Sequence, residues 1–125
     1  MTIKRKPESY PGRTRRVEYG GLVHCVMTAP DKSMSIAGQT RQCLDGIDAL
    51  LAEAGSDKSR LVTATVYIAD MTMKAEMNDV WAAWADRDNP CARVCIGAGL
   101  SVQEDPAKPL LVEIAVSAAT GSGGS

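Results

Sequence analysis

No run of apolar residues in this chain approaches the ~20 that a membrane-spanning helix requires, which excludes a transmembrane role for the sequence as read. The opening residues also lack the charged, apolar and small-residue sequence that marks a secretory signal, so a cytoplasmic protein is expected. The four cysteines, Cys25, Cys43, Cys91 and Cys95, form no CxxC pair, and the one histidine, His24, lies far from the only close pair. Zinc ligation is therefore not expected, and in a reducing compartment the cysteines read as free thiols. Cys95 has no histidine near it in sequence to activate it, so it reads as a small packed hydrophobe before it reads as a nucleophile.

A dominant charge of one sign is missing too. The formal net charge is -1, but its distribution is uneven: Lys4, Arg5, Lys6, Arg13, Arg15 and Arg16 stand against Glu8 alone in the first 16 residues. A basic arm can touch nucleic acid, yet this one holds a single aromatic, Tyr10, among Pro7, Pro11 and Gly12. It reads as an irregular solvated segment, and a nucleic-acid partner is not expected. At the other end, GSGGS has the composition of a flexible linker. The expected organisation is an arm over 1–16, one domain over 17–120 and a linker-like tail over 121–125.

What is present is an alternation of strand and helix periods. Val17 to Tyr19 and Leu22 to Thr28 flank Gly20-Gly21, a hairpin signal. Ile36, Thr40, Cys43, Ile47, Leu50, Leu51 and Ala54 recur at helical spacing between Ser35 and Gly55. Leu61 to Ala69 alternates as a strand, with Val62, Ala64, Val66 and Ile68 on one side. Met73, Met77, Val80, Trp81 and Trp84 form the inward stripe of a second helix over Met73 to Ala85. Cys91 to Leu100 and Leu110 to Ala118 then read as two strands. The order β-β-α-β-α-β-β predicts an α+β domain with a mixed sheet and two helices on one face.

Two helices leave the other face of such a sheet open to solvent or to another subunit. Alternation suits Val94, Ile96 and Ala98, with Val112, Ile114 and Val116, to the helix side. It assigns Arg93, Cys95, Leu111, Glu113 and Ala115 to the open side. Arg93 and Glu113 are the isolated charges of two apolar strands, and a buried cation needs a carboxylate or a bound anion beside it. If those strands are neighbours, the two charges form either a structural lock or a pair presented to a substrate. His24, in a strand, reads as a packed or interface residue.

The stretch QTRQCLDGIDALLAEAGSDKSRLVTATVYIADM, followed by EMNDVW, ARVCIGAGL and LLVEIAV, resembles the reactive intermediate deaminase (Rid, or YjgF) family, and in particular its short, YoaB-like branch. The resemblance runs from about Glu18 to Ala119. It implies a chorismate-mutase-like fold, a homotrimer with clefts between subunits, and hydrolysis of imines and enamines of 2-keto acids, such as 2-aminoacrylate or 2-iminobutanoate, to keto acid and ammonia. No metal or organic cofactor is implied. By position, the family's carboxylate-binding arginine falls on Arg93, its cleft cysteine on Cys95 and its water-orienting glutamate on Glu113. Asn78 matches an asparagine that lines or supports the cleft. The chain departs from the family at Val26-Met27, where a serine-glycine pair is implied. Methionine there narrows and greases a cleft that glycine leaves open. The connection SVQEDPAK is a second departure, expected to reshape the cleft mouth.

The residue types suit the implied chemistry. The planar fork of arginine can grip the carboxylate of an imino acid with two charge-assisted hydrogen bonds, which orients the electrophilic carbon. A glutamate on the adjoining strand can hold a water against that carbon, take its proton and return one to the departing nitrogen. Two alternatives from other classes stand beside this one: a trimeric protein that binds small carboxylates without turning them over, and a trimer reused or engineered as an assembly scaffold.

Overall fold

The structure, a computed structural model, describes residues 2–100 and 105–121. Eight principal elements follow in order: β1 (Lys4–Arg5), β2 (Arg16–Tyr19), β3 (Leu22–Thr28), α1 (Ile36–Glu53), β4 (Leu61–Ile68), α2 (Lys74–Trp84), β5 (Ala92–Gly97) and β6 (Val112–Ala119). Gly20 and Gly21 both take positive φ, 63° and 81°, which is the backbone a two-residue hairpin needs and which side chains resist. Tyr19 pairs with Leu22 across that turn. The Ser35 hydroxyl accepts a hydrogen bond from the Gly38 N–H and caps α1, while Gly55 at φ 71° ends it.

The six strands form one sheet in the order β1-β2-β3-β6-β4-β5. Only β4 and β5 run parallel, joined by α2 in a crossover; every other pairing is antiparallel. The last strand, β6, thus inserts between β3 and β4 and carries the centre of the core. Both helices lie on one face. Ile36, Cys43, Leu44, Ile47, Leu50 and Leu51 of α1 and Met77 and Val80 of α2 bury against Val23, Cys25, Ala64, Val66, Ile68, Val112, Ile114 and Val116 of the sheet. Gly46 permits the closest approach: a Cβ there would stand 2.6 Å from Cε of Met27, so glycine lets α1 settle on β3. This is the α+β mixed sheet with two helices on one face that the element order predicts. Among the described residues no helix is long and apolar enough to cross a membrane.

Three expectations need correction. First, Arg93 and Glu113 are not on adjacent strands, because β4 lies between β5 and β6. Second, the faces of β5 are the reverse of those assigned. In its parallel register with β4, Arg93 pairs with Ala64 and Cys95 with Val66, residues of the helix side. Val94 and Ile96 therefore point to the open face, where they are 54% and 44% exposed. Alternation divides a strand into two faces but does not say which is covered, and a change of one residue exchanges them. Leu111 likewise packs against the core, just before β6 begins. Third, Val62 is 47% exposed, because the pairing of β4 with β6 slips between Leu61 and Thr63 and leaves Val62 as the extra residue of a bulge.

The basic arm is less irregular than expected. Lys4 and Arg5 pair with Glu18 and Val17 as an edge strand, the Lys6 N–H donates to the Arg16 carbonyl, and Lys6 reaches Glu53 of α1 at 2.9 Å. Beyond Thr120 only Gly121 of the linker-like tail is described, and the first four residues of SVQEDPAK lie outside the described residues.

Candidate functional site

The candidate residues fall into two groups, one under α2 at β5 and one at the end of β3 and β6, with Arg93 and Glu113 on opposite faces of the sheet. On the helix side, α2 packs over β5 and brings three neutral groups to the Arg93 guanidinium. Nη2 donates to Oδ1 of Asn78 at 2.9 Å, and Nη1 lies 3.8 Å from Sδ of Met77. The guanidinium carbon sits 5.2 Å from the centroid of the Trp81 ring. Met77 and Trp81 are one helical turn apart, so they flank one site on the same side of α2. Cys95 follows Arg93 on the same face of β5, half-buried at the margin of the core. No carboxylate among the described residues reaches salt-bridge distance of Arg93.

Glu113 occupies the open face, half-buried, with Thr28 of β3 directly opposite on one side and Tyr67 of β4 on the other. It lines an open groove of about 700 Å³ at the end of the sheet, together with Tyr10 and Arg15 of the arm, Met27 and Thr28 of β3, and Lys108. Met27 belongs to the helix side of β3, pressed on Gly46, and contributes its thioether to the inner wall. Nη1 of Arg15 lies 3.4 Å from that sulfur, and Nη2 donates to the Tyr10 hydroxyl at 2.6 Å. The guanidinium carbons of Arg13 and Arg15 stand 5.0 and 5.3 Å from the centroid of the Tyr10 ring.

The fold thus joins Arg93, Asn78 and Cys95 into one group, and Glu113 with Met27 into another. It does not join the two within one chain. Sequence reasoning missed the contribution of Tyr10 and Arg15 to the groove; the only signal was one aromatic among the arginines of the arm. Trp81 packs against the core, as its helical spacing predicts, and its half-buried ring also lies beside Arg93.

The remaining thiols are chemically quiet. Burial pushes Cys43 up to about 12, with the Glu113 carboxylate adding to the rise, and pushes Cys25 up to about 11. Burial also raises Cys91. Such thiols hold their protons at neutral pH and act as packing groups. His24 is exposed on the open face, opposite Ser117 of β6. Among the described residues no three His, Cys, Asp or Glu side chains are grouped to hold a metal ion.

A mixed sheet covered on one side, with an arginine under one helix that meets no carboxylate among the described residues and a glutamate in a groove on the other face, defines a class of small α+β domain with a chorismate-mutase-like plan. The chain belongs to the endoribonuclease L-PSP family, also called YjgF, whose sequence model matches residues 15–120. NMB1025, a YjgF-family protein from Neisseria meningitidis, has the same fold with a TM-score of 0.85 at 34% identity, covering 97% of each chain. A Pseudomonas aeruginosa protein of known structure gives 0.84 at 32% identity, over 96% of this chain and all of that one. Among curated sequences, a RutC family protein of Haemophilus ducreyi is 39% identical over 84 residues, 66% of this chain and 72% of its own length. The RutC family protein YoaB of Escherichia coli is 40% identical over 62 residues, 50% of this chain and 54% of its own. The match therefore spans only about half the length of YoaB.

Proposed function

We propose that the protein hydrolyses imines and enamines of small 2-keto acids to keto acid and ammonia, in a cleft that two subunits of a homotrimer complete. The observation that carries this reading is the state of Arg93, whose charge is held, among the described residues, by an amide oxygen, a thioether and an indole ring instead of a carboxylate. A half-buried cation without a carboxylate partner is suited to an anionic ligand. The α-carboxylate of an imino acid fits the free edge of the guanidinium, and Asn78 holds the opposite edge. Cys95 then borders the bound acid, and Met27 limits the size of what enters from the side of the groove.

Glu113 is the group that activates water. Its carboxylate holds a water molecule against the imine carbon and accepts a proton as the C–O bond forms. Return of that proton to nitrogen completes the carbinolamine, and passage of its hydroxyl proton through the same carboxylate to nitrogen lets the C–N bond break as the carbonyl forms, releasing ammonia. Within one subunit Arg93 and Glu113 are two strand spacings apart across the sheet, about 10 Å, are offset along β4 by the step from Ala64 to Tyr67, and point to opposite faces. A small imino acid, whose carboxylate is one bond from its reactive carbon, does not bridge them. The Arg93 wall of one subunit must face the Glu113 groove of the next.

The open face supports the same assembly. Val94, Ile96, Tyr67, Thr65, Val26 and Ala115 form an apolar surface that a second copy would cover. Sedimentation equilibrium is expected to give three times the chain mass of 13.2 kDa, and a monomer in dilute buffer would refute the shared cleft.

The test of binding is Arg93→Lys. An ammonium cannot reproduce the two parallel hydrogen bonds of the guanidinium, so calorimetric titration with 2-ketobutyrate, the product analogue, is expected to show affinity falling tenfold or more. Thermal melting should stay near that of the parent chain. Equal affinity in both proteins would make Arg93 a structural residue.

A further inference from the structure

We infer that Trp81 is a positioning residue for the carboxylate-binding arginine: its indole face fixes the Arg93 guanidinium in plane without neutralising it. The inference rests on the function proposed above and extends it to a residue that acts on the substrate through Arg93. A guanidinium at the rim of a sheet can be held by a carboxylate, but that would occupy its fork and cancel its charge. It can be left to water, but then it wanders among rotamers and loses the orientation that makes bidentate binding selective. A ring face avoids both outcomes. The quadrupole attracts the cation, covers one flat side, and leaves the N–H edges free.

The geometry fits this role in detail. With the guanidinium carbon 5.2 Å from the ring centroid, Trp81 lies within cation–π reach, and Asn78 takes one N–H at 2.9 Å. Trp81 is itself braced. Its ring meets that of Trp84 at 5.3 Å between centroids and 59° between planes, a tilted aromatic pair. Trp84 is tied at both ends: its Nε1–H donates to Oδ2 of Asp48 on α1 at 3.0 Å, and the Lys58 ammonium stands 5.3 Å from its ring centroid. The same ammonium donates to the Trp84 carbonyl at 2.6 Å. A cation, two indoles and a second cation therefore form a ladder from Arg93 to the body of the fold, and the groups in direct contact with Arg93 among the described residues, Asn78, Met77 and Trp81, are neutral.

The chain has two tryptophans, Trp81 and Trp84, which makes the inference directly readable by fluorescence. In Trp84→Phe, Trp81 is the sole indole, and saturating 2-ketobutyrate is expected to shift its emission through the change at the stacked guanidinium. The same titration on Trp84→Phe combined with Arg93→Lys should leave the emission flat. By calorimetry, Trp81→Leu, which keeps an apolar side chain but no ring, should bind 2-ketobutyrate about tenfold more weakly, the scale of a partly desolvated cation–π contact. Trp81→Phe should restore most of that loss. In turnover the loss should fall on KM with kcat little changed, since the contact acts on substrate and transition state alike.

Unchanged affinity in a folded Trp81→Leu, or an emission from Trp81 blind to bound ligand, would overturn the positioning role. If Trp81→Leu does not fold, the Trp84→Phe emission and the Trp81→Phe affinity decide it. A parent chain that binds no small carboxylate at all would instead bring down the proposed function, and the role of Trp81 with it.

Discussion

Replacing Glu113 by glutamine is expected to slow imine hydrolysis about a hundredfold or more while leaving ligand binding and thermal stability close to those of the parent chain. Glutamine keeps nearly the same volume and can still hydrogen-bond a water, but it cannot take a proton from it. The sequence alone offers a rival outcome, in which losing the charge leaves a buried arginine uncompensated and costs several kcal/mol of stability. The strand order removes that rival within one subunit. Glu113 lies between Thr28 and Tyr67 on the open face, with β4 between its own strand and that of Arg93. A change of charge in an open groove should move the melting point little. Competition kinetics with semicarbazide, which traps the imine as it forms, would measure turnover, and calorimetry with 2-ketobutyrate would measure binding on the same sample. Unchanged turnover in a folded protein would remove Glu113 from the mechanism. A loss of binding equal to the loss of turnover would make it a ligand-holding group instead of a base.

The parts of the fold that were legible before the structure are those set by local chemistry. Gly20-Gly21 marks the hairpin because both residues need positive φ. Ser35 and Gly55 bracket α1 because one caps its first N–H groups and the other takes the left-handed turn after its end. Arg93 stands out because a lone cation in an apolar strand requires an explanation, and the fold supplies one under α2. What was not legible depends on distant pairing. The insertion of β6 between β3 and β4 joins segments far apart in sequence and separates Arg93 from Glu113. The face of β5 is set by its register on β4, which alternation does not contain. The arm was misread because its pairing with β2 and its place beside Met27 arise only once β2 and β3 have formed. The packing of Trp81 on the core is legible from helical spacing, but the guanidinium beside its ring, which arrives on a different element, has no local signature.

Co-refolding Arg93→Lys with Glu113→Gln in equal amounts, assayed at substrate well below saturation, is expected to restore about a quarter of the parent activity from two proteins that are each impaired, one in binding and the other in proton transfer. The reason is geometric. If each site takes its arginine from one subunit and its glutamate from the next, a random mixed trimer contains sites in which the Glu113→Gln chain supplies an intact Arg93 and the Arg93→Lys chain supplies an intact Glu113. Each of the two positions is filled correctly half of the time, which gives the quarter. Were both residues of a site to come from one chain, every site in the mixture would lack one of them, and activity would stay at the level of the separate variants. Mixing trimers already formed, without unfolding, should also leave activity low, since no subunits exchange. The effect is large, about 25-fold over the hundredfold-impaired Glu113→Gln variant, and it is independent of which imino acid is used as substrate. It follows from two facts of the fold: Arg93 shares the helix side with Ala64, and Glu113 shares the open side with Tyr67. A co-refolded mixture no more active than its components would place the complete site within one subunit, and would require Arg93 or Glu113 to be exchanged for a residue of the Tyr10–Arg15 groove.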